Sequence, residues 1–238
     1  MNWTKAAIFG ASGGIGDALV RALAADGVAV LAGSRRGDVP QLPGVTPFTF
    51  DLTDEASIAA AVAPWKESPP DLVFVTTGVL TLKDGTGPER SLKQLSGEAM
   101  SEILLLNAVG PAMIAKHVLP LFPRNAPASF AALSARVGSI ADNRIGGWHS
   151  YRASKAALNM LIRNFAIEMC RTHKQAVIAG LHPGTVDTPL SQPFQSNLPA
   201  GQLTPADESA RNLLAVLQKL GPEDSGNVFD WKGDRIPE

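Results

Sequence analysis

The 238-residue sequence contains one cysteine and one tyrosine. A single cysteine, Cys170, excludes an internal disulfide framework and a zinc site built from thiolates; near a helix end it reads as packing material. The four histidines (His117, His149, His173 and His182) show no metal-ligand spacing, so no metal is expected. Charge of one sign is also missing. Lysine and arginine number 21 against 22 acids, giving a net charge of −1 and a pI of about 6.4. That balance leaves no electrostatic case for nucleic acid or an anionic membrane as partner. After MNWTK only five apolar or glycine residues precede a polar turn, too few for a signal-peptide core or a membrane span. A cytoplasmic location is the expectation.

Apolar types make up 45% of the chain and charged types 18%, enough apolar material for a sizeable core in one domain. Short apolar runs at 6–9, 28–32, 47–50, 71–75, 129–133, 176–181 and 228–231 read as strands. Helical patterns separate them. Ile15, Ala18, Leu19, Ala22 and Leu23 line one helix face, which Asp26-Gly27 ends. Thr53 is placed to cap a helix to about Trp65. A long helix carries Met100, Ile103, Leu104, Asn107 and Ile114 towards Pro120, and another carries Tyr151, Leu158, Leu161, Ile162 and Phe165. Thr204-Pro205 opens the last, to about Leu220. The alternation predicts an α/β fold: a Rossmann-like, doubly wound parallel sheet of about seven strands with helices on both faces. Residues 183–205 hold five prolines and read as a long loop, with 187–203 as a lid in which Leu190, Phe194 and Leu198 could close over a substrate.

The first strand runs into Gly10-Ala11-Ser12-Gly13-Gly14-Ile15-Gly16. Glycines there allow a tight turn, bring bare backbone N–H groups up to a pyrophosphate, and let the helix pack closely on the strand. The helix N-terminus adds partial positive charge. The same run also spells Gly-x-Ser-x-Gly, with Ser12 as a hydrolase nucleophile and Asp187 and His182 as partners. An elbow at residue 12, however, has no strands or oxyanion loop before it. The second strand ends in Ser34-Arg35-Arg36, where an NAD-preferring fold presents an acid to the ribose; two arginines suit the extra phosphate of NADP, and NAD is less favoured. Asp51 and Leu52, after the third strand, are placed to bound an adenine, although Asp51 equally suits the start of a turn.

Tyr151 and Lys155 are spaced i, i+4 and share one helix face. A phenol titrates near ~10 and is a poor acid at neutral pH. A neighbouring lysine cation favours the phenolate and is expected to draw the pKa down towards the working range.

Together these features resemble the short-chain dehydrogenase/reductase family in its compact single-domain branch, over nearly the whole chain (1–238). Gly10, Gly14 and Gly16 match the cofactor motif, and Tyr151-Arg152-Ala153-Ser154-Lys155 the active-site motif. Asn107-Ala108-Val109-Gly110 matches the helix motif whose asparagine helps hold a relay water. Pro183-Gly184-Thr185-Val186-Asp187-Thr188 matches the segment bordering the nicotinamide. The run 138–160 looks closest to C-factor-like and sniffer-type carbonyl reductase members. The resemblance implies a cofactor half over 1–80 and a catalytic half over 98–238. It implies Tyr151 as acid/base, Lys155 also binding the nicotinamide ribose, and Asn107 as relay support. It further implies cofactor contacts from Gly10, Ser12, Gly13, Gly14, Ile15, Gly16, Ser34, Arg35, Arg36, Asp51, Leu52, Gly78, Tyr151, Lys155, Pro183, Gly184, Val186 and Thr188. A homodimer or homotetramer is implied through the Asn107 and Tyr151 helices.

Two departures stand out. The family's Asn-Asn-Ala-Gly is here Val75-Thr76-Thr77-Gly78, keeping only the glycine. Its Ser-Ser-x-x-Gly aligns on Ser134-Ala135-Arg136-Val137-Gly138, with alanine where the second, substrate-orienting serine belongs. Ser134 can replace it only where the strand has ended or bulged, because neighbouring strand residues point to opposite faces. Trp148 and His149 are candidates to line the pocket. The expected activity is NADP-dependent interconversion of a small-molecule carbonyl and alcohol. The alternative is a cofactor-binding signalling or regulatory protein, for which the missing serine is the argument.

Overall fold

The computed structural model describes residues 3–197 and 201–238; Leu198 of the expected lid lies outside them. Fifteen strands and α-helices follow in chain order: β1 (Lys5–Phe9), α1 (Gly14–Ala25), β2 (Ala29–Ser34), β3 (Val45–Thr49), α2 (Glu55–Val62), β4 (Leu72–Val75), α3 (Gly97–Leu104), α4 (Gly110–Val118), β5 (Ala128–Leu133), α5 (His149–Met169), β6 (Ala176–His182), β7 (Thr185–Val186), β8 (Leu203–Thr204), α6 (Ala206–Lys219) and β9 (Val228–Asp230). Seven strands form one parallel sheet in the order β3-β2-β1-β4-β5-β6-β9. The order reverses between β1 and β4. In such sheets ligands bind in the crevice beyond the strand ends at this switch point.

The alternation of strand side chains divides the core into two layers. Ile8, Val30, Phe74, Ala131 and Ala179 face α1 and α6, joined by Leu19, Leu23, Leu213 and Leu217. Phe9, Val73, Val75, Phe130 and Ile178 face the opposite way, with Ile58, Ile114, Val118, Leu158 and Ile162 from α2, α4 and α5. Strand β4 is buried at all four positions, as its unbroken apolar run requires of a sheet covered on both faces.

Several boundaries differ from the sequence reading. Strand β2 continues to Ser34, so Arg35 and Arg36 stand directly beyond its end. The cap of α2 is Asp54, whose carboxylate accepts from the Ala56 N–H, rather than Thr53. Thr53 instead donates both its N–H and its hydroxyl to Asp51. The long helix is interrupted: a π-helical turn, Leu105–Val109, lies between α3 and α4. By length and composition Gly97–Leu121 could cross a membrane, but α3 and α4 pack against α5 and α2 as core helices do. The 183–205 segment is partly ordered by a two-stranded ribbon, β7 with β8, and by a short 3-10 helix at Gln192–Asn197. Cys170 is exposed at the end of α5, not packed.

Candidate active site

The glycine turn is shaped by close approach. Gly10 has φ +97°, in the left-handed region, and a Cβ there would meet the Thr76 hydroxyl at 2.6 Å. A Cβ on Gly16 would fall 2.1 Å from the Gly10 carbonyl oxygen. Thus α1 can lie this close to β1 only without a side chain. Gly13 occupies the N-cap of α1, leaving Gly14, Ile15 and Gly16 in the first turn, whose amides have no intrahelical partner. The side chain of Ile15 packs into the core, so only its amide faces the turn. Thr188 meets the turn from the other side; its methyl lies 2.6 Å from where a Gly14 Cβ would be.

Beyond β2, Ser12, Arg35, Arg36 and Asp38 line one cavity of about 290 Å³. The sequence reading had placed the first three here and missed Asp38. Its carboxylate accepts from the Ser34 hydroxyl at 2.7 Å and pairs with Arg36 at 2.7 Å. The Arg36 and Ser34 hydrogen bonds hold the Asp38 carboxyl below the usual range. Asp51 is exposed and its carboxylate is turned onto Thr53, whose two hydrogen bonds lower its pKa, with Arg35 assisting. Leu52 packs against Gly110 of α4, where any side chain would collide with it.

At the far end of β4 the loop meets the π turn at Leu105–Val109 and helix α5. A Cβ on Gly78 would lie 3.1 Å from Asn107 Oδ1 and 3.5 Å from Lys155 Nζ, so glycine permits this convergence. Asn107 is fully buried within the π turn. Its amide donates to the Val79 carbonyl at 2.8 Å, its carbonyl accepts the Val79 N–H at 2.7 Å, and it also donates to Ser154 Oγ at 3.1 Å. Ser154 donates in turn to the Tyr151 carbonyl. Lys155 donates to the Leu133 carbonyl at 2.8 Å, and Nζ stands 5.8 Å from the Tyr151 ring centroid. Thr76 ties the same loop to β1 through the Phe9 and Gly10 carbonyls. The buried Thr77 hydroxyl is without a partner.

The electrostatics correct one expectation. Burial pushes the Tyr151 phenol up to about 12 and the Lys155 amine down to about 8. Desolvation disfavours the charged form of both groups and outweighs the lysine's attraction for a phenolate. His182, at the end of β6, is pushed down to about 4 by burial and by the nearby cations Arg136 and Lys155, against the opposing pull of Asp230; its Nδ1 has no partner. Of the nicotinamide-side segment, Val186 is buried and its carbonyl accepts from Ser191, while Gly184 takes φ +76° against Trp231. Pro183 follows the last residue of β6.

Ser134 lies one residue beyond the end of β5, yet its hydroxyl donates to Asn159 of α5 and its N–H to the Leu181 carbonyl. Its hydroxyl is thus engaged with α5 beside Ala135, which offers only a methyl group. A second cavity, of about 720 Å³, is walled by the 81–94 excursion, Trp148, Pro193 and Phe194. The Trp148 ring meets Tyr151 edge-on at 6.2 Å and Phe194 at 5.4 Å. Phe194 lines this cavity, whereas Leu190 is 43% exposed. His149 does not line this cavity. Trp148 is the only non-glycine with positive φ among the described residues, at 51°. The Gly146-Gly147 pair just before it, both at positive φ, is the sequence signal for this turn, not any motif.

The family model described as short chain dehydrogenase matches residues 4–199. The chain belongs to this family, which classes it with the NAD(P)-dependent oxidoreductases acting on carbonyl and alcohol groups. Among curated relatives it is 36% identical over 138 residues to the C-signal of Myxococcus xanthus, covering 58% of this chain and 78% of that one. It is 32% identical over 186 residues to a 1-hydroxy-2-glutathionyl-2-methyl-3-butene dehydrogenase of Rhodococcus sp., covering 77% and 74%. Among solved structures, NADPH-bound carbonyl reductase from chicken fatty liver superposes with a TM-score of 0.84 at 26% identity, covering 100% of this chain and 95% of that one.

Proposed function

We propose that the protein is an NADP-dependent oxidoreductase that interconverts a carbonyl and an alcohol, with Tyr151 as the proton donor and acceptor. The observation that carries this reading is the convergence of Gly78, in the loop leaving β4, with Asn107, Tyr151 and Lys155, Tyr151 packing against Trp148 of the aromatic-walled cavity. The dinucleotide fits the residues present. The glycine turn presents bare amides, the Thr77 hydroxyl awaits a partner, and the Ser12–Arg35–Arg36–Asp38 cavity has the size for a phosphorylated ribose, with Arg35 its unpaired cation among the described residues. The NADPH in the chicken carbonyl reductase supports the same choice.

When bound, NADPH supplies the hydride; the chain supplies everything that moves the proton. A phenol held at about 12 stays protonated throughout the neutral range but is a weak acid there, so its donation to a carbonyl oxygen depends on a cation that stabilises the phenolate. Lys155, at about 8, is largely protonated at neutral pH and faces the phenol, so it stabilises the phenolate as the proton leaves. Asn107 holds the Val79 backbone and, through Ser154, the Tyr151 turn, and the surrounding π turn is the site of the relay support that the family resemblance implies. Trp148 and Phe194 offer apolar faces to a substrate. Leu105, Val109, Met160 and Ile167 are exposed along α3 to α5, which supports pairing of two copies through these helices.

The test is Tyr151→Phe. Turnover should fall by at least about 10²-fold, the lower end of the range for loss of a positioned acid, while NADPH binding followed by tryptophan fluorescence stays near wild type. Retained turnover would remove the assignment. A second reading, a cofactor-binding regulatory protein, is favoured by one observation, the absent hydroxyl at Ala135. NADPH oxidation screened over aldehydes, ketones and quinones separates the two.

A further inference from the structure

Helix α5 begins without a cap of its own. Its N-cap position is Trp148, whose side chain makes no capping bond, and its first turn carries no acidic residue. The first amides of a helix need outside partners, and a buried helix start without them is unstable. Here the partner comes from 61 residues earlier in the sequence. Glu89 Oε2 accepts the Ser150 N–H at 3.1 Å, Glu89 Oε1 accepts the Ser150 hydroxyl in a very short contact, and the Glu89 carbonyl accepts the Trp148 N–H at 2.5 Å.

Glu89 is 6% exposed and Ser150 fully buried. A carboxylate survives such burial only when its oxygens are satisfied, and the positive end of a helix adds to hydrogen bonds that are already charge-assisted. Three bonds, one from Trp148 and two from Ser150, also hold Trp148 in its left-handed conformation. The residue after Ser150 is Tyr151. Glu89 itself sits in the excursion that walls the 720 Å³ cavity, which Phe194 also lines.

We propose that Glu89 is a positioning residue: a remote cap that fixes the first turn of α5 and thereby the placement of the Tyr151 phenol and the Trp148 ring. A substrate pressing on the 85–90 wall would then act on the tyrosine through this link.

The experiment uses the full chain with Glu89→Ala, Glu89→Gln and Ser150→Ala, each checked for folding by thermal melting. The first readout is the ultraviolet titration of tyrosinate, which reports Tyr151 alone because the chain has no other tyrosine. Release of the first turn admits water, so in Glu89→Ala the midpoint should fall from the raised wild-type value towards the ordinary phenol value, by at least about one unit. The second is kcat against KM with a carbonyl substrate: kcat should fall about 10- to 100-fold, as misplacement of a catalytic group does, with NADPH affinity unchanged. Glu89→Gln keeps an acceptor for the Ser150 N–H and should restore most of both. If Glu89→Ala does not fold, Ser150→Ala decides: a smaller shift in the same direction supports the proposal and none overturns it. A folded Glu89→Ala with wild-type titration and kcat overturns it, as does equal loss in Ala and Gln variants. The kinetic arm rests on Tyr151 as acid/base; the titration does not, so a chain without turnover still tests the cap.

Discussion

Ser134 donates its hydroxyl to the side-chain carbonyl of Asn159 at 2.5 Å, one helical turn beyond Lys155 on α5. That bond occupies the hydroxyl left in the Ser-Ala pair, and the adjacent Ala135 is buried at the start of a short 3-10 turn with only a methyl group to offer. An oxyanion developing near Tyr151 therefore lacks one donor. Ala135→Ser should raise kcat about 10- to 100-fold, towards the 10²–10³ that one such donor contributes elsewhere. Ser134→Ala should leave kcat within about threefold. Steady-state kinetics on both variants checks this, and a silent Ala135→Ser would mean that the oxyanion is held by other groups.

The closeness of α1 to β1 yields a stability prediction. Gly16→Ala places a methyl group 2.1 Å from the Gly10 carbonyl, against backbone that has little freedom to move. Overpacking at such a site costs on the order of 3 kcal/mol. Gly27→Ala, where φ is +78° but nothing lies within 4 Å, should cost less, about 1 kcal/mol of backbone strain. Urea unfolding of the two variants measures the difference, and NADPH affinity should fall only in the first.

Much of this architecture was legible because it is local. The apolar runs, the glycine turn and the Tyr151–Lys155 spacing each depend on neighbours within a few residues. What escaped depends on distant pieces meeting. Glu89 and Ser150 are 61 residues apart, and Glu89 reads in sequence as an ordinary surface acid. Asp38 lies beyond the expected position of a ribose-binding acid, and only the turn after β2 brings it back beside Ser34 and Arg36. The π turn at Asn107 leaves the apolar pattern of one continuous helix almost intact. The Tyr151 pKa was misjudged for another reason: residue spacing carries the lysine's charge but says nothing of desolvation, which dominates here.

His182 gives a prediction on the acid side. Its pKa is lowered from 6.5 to about 4, so between those values the unfolded chain binds a proton that the native chain refuses. Stability therefore falls as pH drops from about 6.5 to 4, by up to about 3 kcal/mol from this group. In His182→Asn that part of the pH dependence should vanish. Urea midpoints for both proteins at pH 7, 5.5 and ~4.5 test it, the pH points chosen to bracket the window; parallel curves would show that other groups govern acid unfolding.

Asp38 bears on which dinucleotide the cavity beyond β2 accepts. Its carboxylate pairs with Arg36 at 2.7 Å, so one of the two arginines facing a 2′-phosphate arrives already neutralised, and a negative charge stands in the same cavity. Arg35 makes no ion pair among the described residues and is the cation free to receive the phosphate. Arg35→Ala should weaken NADPH binding by about 10- to 100-fold, as loss of a charge-assisted contact does, and leave NADH binding nearly unchanged. Asp38→Asn works in the opposite direction: it releases Arg36, removes the repulsion, and should tighten NADPH binding about fivefold while NADH binding stays level or weakens. Because every group involved is exposed, both effects shrink as salt rises and the Debye length contracts. Fluorescence titration of each variant with NADPH and NADH at low and high ionic strength reads all of these at once. Equal changes for the two cofactors in Arg35→Ala would place the phosphate site elsewhere. A looser NADPH complex in Asp38→Asn would instead make Asp38 a brace that holds Arg36 in position through its bonds to both Arg36 and Ser34.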